Sequence, residues 1–280
     1  MTSLSLGAGA GTGALGFCAG ARHAMRVWST MASMSLQAQL GHPLGSVGFL
    51  LGKLVRIFFF FAFVAAIFTH TGQIAGYGLA ETALFFLTFN LVDITSQVFF
   101  RGIYAARRAV EDGDFDFYLI QPCPPLLRMA CYTVDYLDLL TLLPVLVLTG
   151  IVFSHLGPLP PGRLALYLAL TANGILIALS IHIFVAALAV RTQELENAIW
   201  IYRDLMFMGK FPVDIYDPPM RWALTWVIPI AVMVSFPARA LLGRLEAAGV
   251  LHAFCLSGSL FAASLWFWRI ALRHYTSTSS

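Results

Sequence analysis

Asn90, Asp93 and Gln97 stand at i, i+3 and i+7 inside an otherwise apolar run, LAETALFFLTFNLVDITSQVFF. On a helix that spacing puts all three on one face. A carboxylate near the middle of a bilayer costs at least about 2.5–3.5 kcal/mol, so Asp93 must face protein or water. Two readings stand: a polar lining for a substrate path or a subunit interface, and hydrogen-bond glue between helices. Asp135 and Asp138, at the start of a later apolar run, are the other candidates for chemistry. They suit a polytopic membrane enzyme, such as a lipid-modifying transferase. Such enzymes need a clustered acid–base or metal set, and no His stands near these two acids.

Other chemistries find no foothold. Gly48-Phe-Leu-Leu-Gly52-Lys53-Leu54 imitates a phosphate loop, but the Gly spacing is wrong and no Ser or Thr follows to hold Mg²⁺. The seven His are scattered, without HExxH or GxSxG patterns. His182, deep in an apolar run, reads as a hydrogen-bonding partner for a neighbouring helix. Cys18, Cys123, Cys131 and Cys255 form no CxxC pair, which argues against a zinc site or a disulfide framework. No metal site is expected. A net charge of +3 gives no footprint for nucleic acid.

The elements that carry these residues follow from composition. The chain is 59% hydrophobic and only 11% charged, far from the roughly 25% charged residues of soluble domains. Runs such as LVRIFFFFAFVAAIF approach the length needed to cross a hydrocarbon core about 30 Å thick. Backbone polar groups there must be satisfied internally, so the fold class is all-α, a polytopic membrane protein with about six spans. Residues 1–22, Gly/Ala-rich and without a positive n-region, make a poor signal peptide and are expected to be a disordered extension. From residue 23 to 46, Val27, Met31, Met34 and Ala38 share one helix face. This stretch reads either as an interfacial helix or as a loose linker.

Spans are expected at about 47–69, 79–100, 132–154, 164–190 and 250–272. Lys53 and Arg56 are expected to snorkel to the near interface. Arg101, Arg107, Arg108 and Arg128 flank the second span, whereas the connection HTGQIAGYGLAE has no Lys or Arg. The positive-inside rule therefore puts both termini and the 101–128 segment in the cytosol. An even number of crossings results if 195–212 spans and 222–242, with Pro229 and Pro237, is a re-entrant segment on the outer side. The alternative makes 222–242 a full span and 195–212 a surface helix.

Eight of the residues from Arg101 to Arg128 are Asp, Glu or Arg. Gly113 suits a left-handed position ending one helix, and Asp114 can cap a short second helix that Gln121-Pro122 stops. Phe115, Phe117, Tyr118, Leu119 and Ile120 give that helix more apolar surface than an idle turn needs. It can lie along the membrane or insert into a groove on a cytosolic partner, with Phe115, Phe117 and Tyr118 as buried anchors and Asp114 and Asp116 as polar contacts.

This loop resembles the "G-x-hydrophobic-D-x-x-L-x-x-P" loop of type-2 ABC exporter permeases, particularly their six-helix subfamily. GKFPVDIYDPPMRWALTWVIPIAVMVSFPARALLG is similar to that subfamily's "yP-x-x-iY…R…iP…P-x-x-x-L" segment, here Pro212, Tyr216, Arg221, Pro229 and Pro237. Arg273-His-Tyr275-Thr-Ser277 resembles its "r-x-Y-x-S" close. The resemblance implies an N-terminal elbow helix over 23–46 and an ABC-2 type transmembrane domain over 47–280. Gly113, Asp114, Phe115, Asp116, Phe117, Tyr118 and Pro122 would form the coupling element. Pro212, Tyr216, Arg221, Pro229 and Pro237 would sit at an outer gate. It further implies a separate ATP-binding subunit carrying ATP and Mg²⁺, a second permease chain, identical or paralogous, and a multi-pass place in the plasma membrane.

Overall fold

The computed structural model describes residues 12–192 and 198–276, with side chains from Met25 onward outside the gap. The Gln-Glu-Leu-Glu-Asn stretch at 193–197 and the first eleven residues lie outside the described residues, as does part of the extension expected over 1–22. The first helix, α1 (Thr12–Leu40), begins inside that extension, so residues 12–22 are helical rather than irregular. No strand occurs among the described residues; one isolated bridge joins Ile74 and Tyr77.

Among the described residues, five helices are long and apolar enough to cross a membrane. They are α2 (Pro43–Phe68), α3 (Leu79–Phe100, prolonged through a 3₁₀ turn into α4, Ala106–Glu111), α7 (Tyr136–His155), α8 (Pro161–Thr192) and α12 (Ala247–Arg273). Two short helices, α5 (Asp114–Ile120) and α6 (Pro125–Ala130), fill the segment between α4 and α7. Local chemistry sets the ends. Pro43 sits where a missing N–H costs nothing. The Glu81 carboxylate accepts the Gly78 N–H at 2.9 Å. Asp135 caps α7 by accepting from the N–H groups of Leu137 and Asp138 at 3.0 and 3.1 Å.

α3 and α8 form the buried axis, packed on α7, α12 and each other, while α2, α7 and α12 turn much of their surface outward. Phe58, Phe59 and Phe63 on α2 are among the exposed side chains, as expected where the solvent is hydrocarbon. Close approach is possible where side chains vanish. A Cβ on Gly174 of α8 would stand 2.5 Å from the Met233 carbonyl.

The sixth crossing is not a regular helix. α9 (Ala198–Met206) is followed by 3₁₀ turns at Phe207–Lys210 and Val213–Ile215. Arg203 reaches Tyr104 at the loop-bearing end, Gly209 lies against Phe89 halfway along α3, and Asp214 meets Tyr77 at the opposite end. The chain therefore passes through the bundle between 198 and 215. α10 (Pro218–Trp226) and the helical stretch Ala231–Leu241, whose π-helical first turn leads into α11 (Phe236–Leu241), are bent by 81°. This pair starts beside Asp214 and finishes at Gly243, against Arg163 and close to Glu81, so both its ends face the same side. It dips to Gly174 and returns. The re-entrant reading of 222–242 accords with this path, and six crossings leave α1 and the end of α12 on one side.

Candidate functional site

The loop-bearing end carries the first group of candidate residues. Gly113 adopts φ +79°, the left-handed conformation expected of it, and separates α4 from α5. α5 stops at Ile120, with Gln121 extended before Pro122. Gly113 rather than Asp114 occupies the cap position, and Asp114 lies exposed in the first turn, where its charge favours the helix dipole.

The apolar residues of α5 divide by register. Phe115 (0% exposed) and Tyr118 are buried in the chain's own core, with Phe115 5.0 Å from the Tyr275 ring and 6.4 Å from Trp268. Tyr118 lies beneath the Arg128 guanidinium at 4.9 Å. Phe115 fastens α5 to the end of α12 and Tyr118 packs on Arg128 of α6, so neither is free to anchor a partner, which corrects the sequence expectation. Phe117 (62% exposed) and Ile120 (79%), three residues apart, form the open face with Leu119 beside them. Asp116 accepts a hydrogen bond from the Tyr275 hydroxyl at 3.0 Å. Burial, reinforced by Asp116, pushes that hydroxyl up to about 12. Burial likewise pushes the Cys131 thiol up to about 11, leaving little thiolate.

Above this lies a polar chamber of about 310 Å³ between α2, α3 and α9. Asp93 and Gln97 line it, together with Lys53, Arg56, Arg101, Tyr104, Arg203 and Asp204. Gln97 donates to the Tyr104 hydroxyl at 2.8 Å and Arg203 donates to the same oxygen at 3.2 Å. Asn90 does not share the chamber. Its amide donates to the Phe86 carbonyl of its own helix at 2.7 Å, and the side chain is buried. The predicted polar face thus splits, with Asn90 as packing and Asp93 and Gln97 as lining. His182 donates through Nδ1 to the Ala178 carbonyl of its own helix at 2.7 Å and stacks on Tyr104, 5.8 Å between centroids.

Sequence reasoning missed the charge pairing below the chamber. Lys53 does not snorkel; its ammonium pairs with Asp138, and Arg101 pairs with Asp135 while standing 3.7 Å from Asp138. Three helices, α2, α3 and α7, are joined by these four groups. Both acids considered for catalysis are consumed in ion pairs and, for Asp135, in the helix cap. No sequence signal could have matched these partners, which lie 34 to 85 positions apart in the chain.

The opposite end gathers Tyr77, Arg221 and Arg239 around an acid that the sequence reading passed over, Asp214. Asp214 accepts from the Tyr77 hydroxyl at 3.0 Å and lies 4.0 Å from both Arg221 and Arg239. Arg221 also donates to the Asp214 and Tyr216 carbonyls, and the Tyr216 hydroxyl donates to the Met208 carbonyl at 2.9 Å. Pro212 leads into this cluster, while Pro229 stands at the bend between the two arms of the re-entrant segment and the buried Pro237 lies in the first turn of α11. Arg244 ties the exit of that segment to Glu81 at 3.0 Å and to the Gly76 carbonyl at 2.9 Å.

This layout pairs a multi-pass bundle and internal polar chamber with an exposed helix at one end. Comparison with protein families gives a match over residues 54–279 to the model described as ABC-2 family transporter protein. The chain belongs to that family. No curated protein and no solved structure gives a match. As an ABC-2 family protein it is a membrane-embedded transport permease, a class that generally works with an ATP-binding subunit. The matched region spans Arg101, Asp135 and Asp138 of the charge cluster, α5, the re-entrant segment and Tyr275.

Proposed function

We propose that this chain is the membrane-spanning permease subunit of an ATP-driven exporter in the plasma membrane, with its loop-bearing end and both termini in the cytosol. ATP and Mg²⁺ belong to a separate ATP-binding subunit, and a second permease chain, identical or paralogous, completes the complex. α5 is the coupling element. Its exposed Phe117, Ile120 and Asp114 enter a groove on the ATPase, while Phe115, Tyr118 and Asp116 pass the motion to the end of α12. Gly113 and Pro122 bound the rigid unit that moves. Coupling requires that the two nucleotide states of the ATPase bind α5 differently.

The single observation that carries this reading is the open Phe117–Ile120 face on a helix otherwise fastened to the bundle, in a chain of this family. Asp93 and Gln97 line the path taken by substrate. Pro212, Tyr216, Arg221, Pro229 and Pro237 form the outer gate, with Asp214 beside Arg221. The test is co-purification of the ATP-binding subunit with Phe117→Ala/Ile120→Ala and with Asp114→Arg. Loss of two buried anchors at about 2 kcal/mol each should abolish detectable association, while membrane insertion stays normal. ATPase association at wild-type levels in both variants would end the docking assignment.

A further inference from the structure

A groove of about 730 Å³ lies between α1 and the first turns of α2, at the loop-bearing end of a candidate membrane span. Its apolar wall comes from Met31, Met34 and Ala38 of α1 and Phe49 of α2. This is the face of α1 that its periodicity marks as apolar. The adjacent face, Trp28, Ala32, Ser35 and Gln39, is the one that meets protein: Ser35 accepts the Val134 N–H at 3.2 Å and Gln39 donates to the Val134 carbonyl at 3.3 Å. α1 thus keeps its more apolar face turned to the groove, with no side chain of the described chain filling it.

The polar side of the groove carries an uncompensated cation. Arg128 donates to the Gln121 amide oxygen at 3.1 Å and contacts Met31 sulfur at 3.5 Å, and it covers the Tyr118 ring. No carboxylate lies within 4 Å of it among the described residues, whereas Arg101 on the opposite wall is already paired with Asp135. An apolar wall with one free guanidinium at headgroup depth complements a single anionic amphiphile.

We propose that this groove holds one anionic phospholipid, its acyl chains along Met31, Met34 and Phe49 and its phosphate on Arg128. The bound lipid wedges α1 against α2 and the start of α7, setting the angle at which the interfacial helix leaves the bundle.

Native mass spectrometry of the purified chain with phosphatidylglycerol and chain-matched phosphatidylcholine tests this. Wild type should retain phosphatidylglycerol about fivefold better, the effect of one basic side chain at an anionic lipid surface. Arg128→Gln should lose the preference, whereas Arg191→Gln, equal in charge change and distant from the groove, should keep it. Met34→Trp, which fills the apolar side, should lose lipid adducts with Arg128 intact. Equal retention of the two lipids by wild type, or equal loss in Arg191→Gln, would overturn the proposal. Displacement of phosphatidylglycerol by millimolar inorganic phosphate would overturn it too, marking a site for free anions.

Discussion

The four-charge cluster at the base of the polar chamber makes a prediction in which two substitutions together cost less than one alone. Asp138 is 1% exposed and Lys53 is 16% exposed. Breaking a buried ion pair by removing one partner typically costs about 3–5 kcal/mol, because the other charge is left without compensation. In Lys53→Met the Asp138 carboxylate retains Arg101 at 3.7 Å, but that guanidinium is already engaged by Asp135. The loss should therefore fall at the low end, about 3 kcal/mol. Asp138→Leu should cost less, since the long lysine stem can swing its ammonium to the nearby interface, a route closed to a short carboxylate.

Lys53→Met/Asp138→Leu removes both charges and replaces them with apolar groups of similar bulk. It should return to within about 1 kcal/mol of wild type, giving a coupling energy of about 2–3 kcal/mol. Unfolding in mixed micelles followed by tryptophan fluorescence provides the four free energies of the cycle. If the double variant loses the full sum of the singles, the two charges are energetically independent and the cluster does not join α2 to α7.

Gly174→Ala should lower stability by about 1–3 kcal/mol through overpacking against the Met233 carbonyl, while Gly258→Ala, whose added methyl meets nothing within 4 Å, should leave the melting temperature unchanged or slightly raised. Asn173→Ala removes the amide that donates to the Ala253 carbonyl at 3.2 Å and pairs with Ser257 across α8 and α12; the expected cost is about 0.6–1.7 kcal/mol, read in the same unfolding assay. Tyr275 keeps its proton better when folded, up to about 12 against an ordinary 10.0, so its contribution is complete below pH 10 and disappears as pH rises from 10 towards 12. The unfolding free energy should fall over that window in wild type, and Tyr275→Phe should lack this part of the fall.

Features set by local chemistry were legible before any coordinates. Gly113 needed a conformation that only glycine adopts freely, Gln121-Pro122 could not continue a helix, and the 79–100 span appears with those bounds. Charge partners were not legible, because Lys53 finds Asp138 only once α2 and α7 are side by side. The irregular crossing at 198–215 was also obscure in detail. Its backbone is held by contacts from α3 and the re-entrant segment, and nothing in its own sequence states that cover.

The more instructive failures concern which apolar residues meet protein. In water, an apolar face predicts its own burial. In a bilayer both surroundings are apolar, so periodicity finds the face but does not say what covers it. On α1 the strongest apolar stripe borders an open groove, and the weaker stripe one residue along packs on Val134. On α5 Phe115, Phe117 and Tyr118 were expected to anchor a partner together, yet Phe115 and Tyr118 turn inward and Phe117 faces outward with Ile120. What decides the register is the end of α12, since Tyr275 reaches Asp116 across 159 positions and Trp268 closes over Phe115. The same contact gives the open face its significance. In the proposed coupling role, a push on Phe117 would pass through Phe115 and Asp116 to the end of α12 and, through α4, into α3.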